Sequence, residues 1–263
     1  MYVIDYNSYR SVKSFNRRVR FLVFHYTAVN FSASVRALTG SSVSAHYLVP
    51  DPEDSSYTNA GFKEMRIFNL VDENERAWHA GVSQWANRTN LNDISIGIET
   101  VNLATDTSGV FHFPPYHPAQ IDALKSLASN ILQRYPDITP TNVIGHSDIA
   151  PGRKSDPGAA FPWHELYTAG IGAWYDQDTK QRYETMFSTG LPSKGDVLAK
   201  ISKYGYSGSA ADSAGGYKNL IRAFQLHFRP QRYDGVLDEE TAAVLYALVE
   251  KYFPRDDEQH RRG

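Results

Sequence analysis

The sequence predicts an α/β fold: a mixed β-sheet flanked by helices, with a small C-terminal three-helix domain behind it. Three observations carry this. Short apolar runs rich in branched and aromatic residues recur at 19–26, 43–49, 66–71 and 94–101, the signature of strands. A segment of helical period, 117–135, lies among the strands, and after Trp174 the recognisable segments are helix-like. Strands interleaved with a long helix fit a layered sheet whose ligands bind near strand ends.

Taken in order, V-R-F-L-V-F-H-Y at 19–26 reads as a largely buried strand with His25 near its C-terminal end. V-S-A-H-Y-L-V at 43–49 and R-I-F-N-L-V at 66–71 follow, separated by the turn-rich D-P-E-D-S-S-Y-T-N-A-G. In I-S-I-G-I-E-T-V at 94–101, alternation sets Ile94, Ile96 and Ile98 on one face and Ser95, Gly97 and Glu99 on the other, so Glu99 emerges opposite a core face. Ile121, Leu124, Leu127, Ala128, Ile131 and Leu132 repeat at helical spacing, with Pro118 suited to the first turn and Pro136 as the stop. N-V-I-G at 142–145 is a short strand leading into the loop G-H-S-D-I-A-P-G-R-K-S-D-P-G at 145–158.

These elements make a first domain over 1–175. The polar Y-D-Q-D-T-K-Q-R-Y-E and the breakers of T-G-L-P-S-K-G then predict a linker at 176–192. Helices at 196–204, 217–228 and 239–252 form a second domain, 193–255, before a polar tail at 256–263. So small a unit has a small core, and it either packs on the first domain or serves as an add-on binder.

Composition narrows the functions. Hydrophobic residues at 41% and charged residues at 21% place the chain among folded globular proteins. A formal charge of -2, without any Lys/Arg block, argues against a nucleic-acid partner. The absence of cysteine excludes a disulfide framework, a Cys-type zinc site and a thiol nucleophile. The N-terminal M-Y-V-I-D-Y-N-S-Y-R has neither the charged nor the apolar part of a secretion signal, and no run approaches the ~18 apolar residues of a membrane span.

His25 and His146 both close strand-like runs, V-F-H and V-I-G-H, and Asp156 lies ten positions after His146 (156 - 146 = 10). Two imidazoles and one carboxylate, with a fourth position left for water, are the ligand set expected of a catalytic zinc. Zinc lowers the pKa of such a water toward about 7. Glu99 is then a candidate proton carrier, and Lys154, two residues before Asp156, a candidate electrostatic stabiliser. Plainer readings fit the same residues: a half-buried histidine after a strand, and a turn-rich connection punctuated by Pro151, Gly152, Pro157 and Gly158. Spacing leaves both open.

Five blocks, F-H-Y-T-A at 24–28, S-A-H-Y-L-V at 44–49, A-W-H-A-G at 77–81, L-N-D-I-S-I-G-I-E at 91–99 and the loop at 145–158, occur together and in this order. In them the chain resembles the AmpD-type N-acetylmuramoyl-L-alanine amidases, zinc enzymes related to peptidoglycan recognition proteins and phage amidase lysozymes. The resemblance covers roughly residues 1–175. It implies one zinc per chain held by His25, His146 and Asp156, a catalytic glutamate at Glu99 and an oxyanion-stabilising lysine at Lys154. The substrate it implies is peptidoglycan or a muropeptide, cut between N-acetylmuramic acid and the L-alanine of the stem peptide.

Trp78 and His79 are further candidates to line the substrate groove, Trp78 having a core reading as well. Asn92 either contacts the muropeptide or shapes a turn. His46 is read as structural or supporting, not as a fourth ligand, and Asp148 as a loop-holding carboxylate. His112, His117, His164 and His227 receive no role. At 221–230 and 233–248 the chain resembles a three-helix peptidoglycan-binding domain, matched at Phe224, Gln225, Asp234, Gly235 and Thr241; a generic helical bundle is the alternative. Gly235 suits the positive φ of a D-G turn, and Asp238 can cap the helix after it.

Two other readings remain at this level. A non-catalytic recognition protein would be expected to have lost a ligand, and G-H-S-D-I at 145–149 imitates the start of a serine-hydrolase elbow, although Ile149 stands where that elbow needs glycine. A wall substrate and a wall-binding module imply a periplasmic site of action, and a homo-oligomer is left open.

Overall fold

The computed structural model describes residues 2–254, so the polar tail expected at 256–263 lies outside the described residues. The first apolar run forms β1 (Phe21–Tyr26), buried from Phe21 to His25. Next come α1 (Phe31–Leu38), capped by the Asn30 side chain on Ala33 N, and then β2 (Tyr47–Val49), α2 (Ser55–Asn59) and β3 (Phe68–Asn69). A two-residue ladder, β4 (Gln84–Trp85) with β5 (Arg88–Thr89), precedes β6 (Ser95–Thr100), and a hairpin follows, β7 (Thr105–Thr107) with β8 (Val110–His112). The long helix is α3 (Pro118–Arg134). His117, given no role from sequence, caps it: its ring accepts from Ala119 N while Gln120 returns to His117 N, which satisfies two orphan donors.

After β9 (Val143–Gly145) the chain turns at once into a one-turn helix, α4 (His146–Ile149), where a loop was expected. Then come α5 (Trp163–Thr168), α6 (Gln177–Phe187), α7 (Lys194–Tyr204), α8 (Gly216–Phe228) and α9 (Glu239–Tyr252). Among the described residues the main sheet runs β3-β2-β6-β1-β9. β1 pairs in parallel with β6 and β9, β2 in parallel with β6, and β3 antiparallel to β2, a mixed sheet as the sequence predicts. β2 and β3 are shorter than their apolar runs; beyond them Ser44 N donates to Trp78 O, His46 N to Gly97 O and Leu70 N to His46 O.

The linker expected at 176–192 is mostly helix. Its polar face misled the composition reading, but Tyr183 and Phe187 lie on one side of α6 and meet Tyr246 of α9 at 5.4 and 5.0 Å. Lys180 Nζ to Glu240 at 2.8 Å and Arg182 to Glu250 at 2.6 Å complete that seam. The helical unit packs on the first domain. Leu22, Ile96, Leu124 and Trp163 share one continuous apolar core with Val197, Phe224 and Leu245, and Trp85, fully buried, packs 4.6 Å from Tyr206.

The two units also share a buried polar node. Asp148 on α4 accepts from Gly145 N and His227 Nδ1 at 2.7 Å each and from the Tyr206 hydroxyl at 2.6 Å. The His227 ring is sandwiched between Trp163 at 3.7 Å and Phe228 at 3.9 Å. Asp148 does hold the loop through a backbone amide, and it also ties the loop to α8. Asp148→Ala strands three donors, two of them from the helical unit, and is expected to cost about 3 kcal/mol or more of stability. Denaturant unfolding checks this, and a loss under about 1 kcal/mol would show that the node is dispensable.

Candidate active site and metal centre

Register builds the site. Parallel pairing of β1 with β6 sets His25 opposite Glu99, and pairing with β9 sets Phe24 opposite Gly145, so His146 follows directly at the same sheet edge. That edge is the carboxyl end of three parallel neighbours, where ligands of such sheets bind. Asp156 comes back from the loop, its carbonyl accepting from Ser147 N.

The three side chains converge. His25 Nδ1 lies 3.0 Å from His146 Nδ1 and 2.9 Å from Asp156 Oδ2, and His146 Nδ1 lies 3.0 Å from the same oxygen. All three are buried. The hydrogen-bond partners assign the tautomers. His146 Nε2 faces the carbonyl of Ala80 at 3.0 Å, so it carries the proton and Nδ1 is a lone pair. Ser95 Oγ donates to Leu91 O at 2.6 Å and therefore accepts from His79 Nε2 at 3.1 Å. His79 Nδ1 is then an acceptor for His25 Nε2, 3.0 Å away, and His25 Nδ1 is a second lone pair.

Two lone pairs and a carboxylate oxygen thus point at one another, an arrangement that repels itself unless a cation lies between. The spacing suits zinc: bonds of about 2.0–2.1 Å put tetrahedral ligands about 3.3 Å apart. Burial pushes the His25 imidazole down to about 4, keeping it neutral and free to ligate.

Around this centre runs a groove of about 350 Å³, lined by Trp78, His79, Glu99, Lys154 and Ser155 among others. Glu99 Oε2 is buried and, among the described residues, has no hydrogen-bond partner. Burial raises the Glu99 carboxyl well above its ordinary range, the Asp156 charge raises it further, and Lys154 opposes them. Lys154 itself is exposed on the groove wall.

The family model described as N-acetylmuramoyl-L-alanine amidase matches residues 15–159. Over 237 residues the chain is 45% identical to the N-acetylmuramoyl-L-alanine amidase AmiD of Escherichia coli (strain K12), spanning 89% of this chain and 84% of that one. The chain belongs to the N-acetylmuramoyl-L-alanine amidases. Its function is hydrolysis of the amide between N-acetylmuramic acid and L-alanine. In structure it is similar to the crystal structure of AmpDh3 from Pseudomonas aeruginosa, 63% identical with a TM-score of 0.93, covering 96% of this chain and 99% of that one. It is also similar to AmiD from E. coli in complex with a substrate, 41% identical with a TM-score of 0.82 over 96% and 98%. Both similarities extend through the helical unit.

Within this amidase the five residues singled out for chemistry, His25, Glu99, His146, Lys154 and Asp156, meet at one groove. Of the three proposed substrate contacts, Trp78 is 52% exposed on the groove, which removes its core reading. His79 reaches the groove floor but its ring is spent between His25 and Ser95. Asn92 is a correction: it is buried, and its Oδ1 accepts from His79 N and Ala80 N, shaping the turn that presents Ala80 O to His146. His46 is structural, with Nδ1 accepting from Gly97 N and Nε2 donating to Glu75 O. Sequence reasoning missed Gly97, against which the His79 ring lies so closely that a β-carbon would meet it at 2.4 Å. A glycine inside a strand was the available signal.

The folded-state pKa of His25 lies below its unfolded value, so the stability of its neutral ring is fully present above pH 6.5 and is lost as pH falls to about 4. Burial depresses His79 and His46 in the same direction. Thermal melts of the metal-free amidase are therefore expected to fall in Tm as pH is lowered through that window, with a shallower fall in His25→Asn. A Tm constant across it would contradict the buried neutral imidazoles.

Proposed function

We propose that this amidase is zinc-dependent, with His25, His146 and Asp156 as ligands, Glu99 as the proton carrier and Lys154 as the oxyanion partner. The observation that carries this reading is the triangle of His25, His146 and Asp156 beside Glu99, whose Oε2 is buried and has no hydrogen-bond partner among the described residues. When bound, zinc supplies a Lewis acid for the scissile carbonyl and makes the attacking water more acidic. Glu99, its proton affinity raised by burial, takes the proton from that water and delivers it to the departing nitrogen of L-alanine. Lys154 places its ammonium against the charge that develops on the carbonyl oxygen. Trp78 offers an exposed ring for packing against sugar or peptide, and His79 holds the His25 tautomer that ligation needs.

AmpDh3 has been solved with an anhydromuramic pentapeptide, and AmiD with anhydro-N-acetylmuramic acid-L-Ala-D-γ-Glu-L-Lys. By that likeness the proposed substrates here are anhydromuropeptides and related wall fragments, in cell-wall recycling or turnover. For the helical unit we retain a wall-binding role, on its resemblance to a peptidoglycan-binding domain; its F-Q, D-G and D-x-x-T residues themselves bond inward. We further propose a periplasmic site of action, on the ground of a wall-derived substrate joined to a wall-binding unit.

Mass analysis of stem peptides released from an anhydromuropeptide is expected to show cleavage that stops on chelation and returns with zinc. Glu99→Gln should lower kcat by about 10²–10⁴ while still binding zinc. Lys154→Met should lower kcat by about 10²–10³ with little change in KM. Full turnover by a chelated, folded sample would end the zinc reading.

A further inference from the structure

The groove does not stop at the catalytic residues. Asp106, Lys154 and Ser155 line it and also line a second cleft of about 210 Å³, which Trp78 does not reach. One wall of that cleft is α8, through Asn219 and Arg222, and the other is the β7–β8 hairpin, through Gly109 and Phe111. Both walls are held in place. Gly152, at φ +77, approaches Asn219 so closely that a β-carbon would meet the amide nitrogen at 2.5 Å. Arg222 Nε donates to Tyr233 O at 3.2 Å, and the guanidinium stands 5.3 Å over the Phe111 ring. Phe111 stacks on Phe113 at 5.6 Å, and both rings meet Tyr233 edge-on.

Arg222 is thus positioned through one of its N–H groups, and a guanidinium has five. Lys154 and Arg222 supply two positive charges against Asp106, one of whose oxygens already accepts from Gly109 N at 3.1 Å. The balance favours an anion, and a held guanidinium beside a carboxamide matches the fork of a carboxylate.

We propose that the cleft between α8 and the β7–β8 hairpin is a subsite for a free carboxylate of the stem peptide, bound by Arg222 and Asn219. It rests on the amidase reading and adds substrate selection to the helical unit. With Trp78 lining the groove outside the cleft, the sugar lies on the Trp78 side and the peptide runs past Lys154 toward α8.

The muropeptide anhydro-N-acetylmuramic acid-L-Ala-D-γ-Glu-L-Lys carries two free carboxylates, the glutamate α-carboxyl and the lysine C-terminus. Hydrolysis of this compound and of its two singly amidated forms by the zinc-loaded protein distinguishes them. The native compound is expected to exceed one amide about tenfold in kcat/KM, through KM. That preference should vanish in Arg222→Met and in Asn219→Ala and return in part in Arg222→Lys. Equal cleavage of all three by the wild type, or a preference that survives both variants, would overturn the subsite. Cleavage of none would instead sink the amidase reading; calorimetric binding of the three compounds to the metal-free protein then tests the cleft separately, and equal affinities would overturn it.

Discussion

Everything at the centre of this molecule depends on the parallel pairing of β1 with β6 and β9. The pairing brings His25 beside Glu99 and ends β9 at Gly145, so that the next residue is His146. Side chains alternate along a strand, and a slip of one residue would send His25 into the apolar layer and a phenylalanine to the groove. The buried run Phe21–Phe24 makes such a slip costly. A hydrophobic pattern therefore sets the geometry of a polar site.

His146 stands on a helix of four residues, too short to persist by itself. What holds it is Asp148, one turn along, whose carboxylate collects donors from the strand end, from Tyr206 and from His227. Two of those three donors belong to the helical unit, and the apolar core runs through both units without a break. The C-terminal helices act as a brace for the catalytic edge. They also wall the cleft that opens from the groove, so support and recognition come from the same face of α8.

Local pattern made the chemistry-bearing residues candidates only, and the ordered blocks of the family resemblance singled them out. His25 and His146 close apolar runs, Glu99 alternates out of one, and Lys154 and Asp156 share a loop dense in turn formers. The supporting shell was not legible. His79 bonds to His25 across 54 residues and Asp148 to His227 across 79, and no local period encodes such contacts. α6 was read as linker because its apolar side is only a few aromatics wide, which a composition count dilutes. The F-Q, D-G and D-x-x-T pattern, read as that of a wall-binding domain, makes structural contacts here: Gln225 accepts from Gly235 N and donates to Val236 O and Thr241 Oγ1, Gly235 takes φ +76, and Asp238 caps α9 on Thr241 N. Those contacts all face inward, so the pattern itself accounts for the fold of the helical unit, and recognition must come from other residues, such as Asn219 and Arg222.

The direction of the hydrogen bonds behind the ligands bears on charge. Leu91 O, Ser95, His79 and His25 form a chain in which each proton points away from the metal centre, and Ala80 O does the same for His146. Each ring thereby donates outward through Nε2 and turns Nδ1 inward, beside the one carboxylate of the set, Asp156. A divalent cation on that set would leave a net charge of about +1, with Lys154 on the groove wall adding to it and Glu99, its carboxyl raised by burial, opposing it only when ionised. The groove would therefore present a small positive excess at the point where a carbonyl oxygen becomes negative, with Glu99 free to alternate between its two protonation states. Replacing a neutral imidazole by a second carboxylate would remove that excess, which is a physical reason for two histidines and one aspartate at these positions.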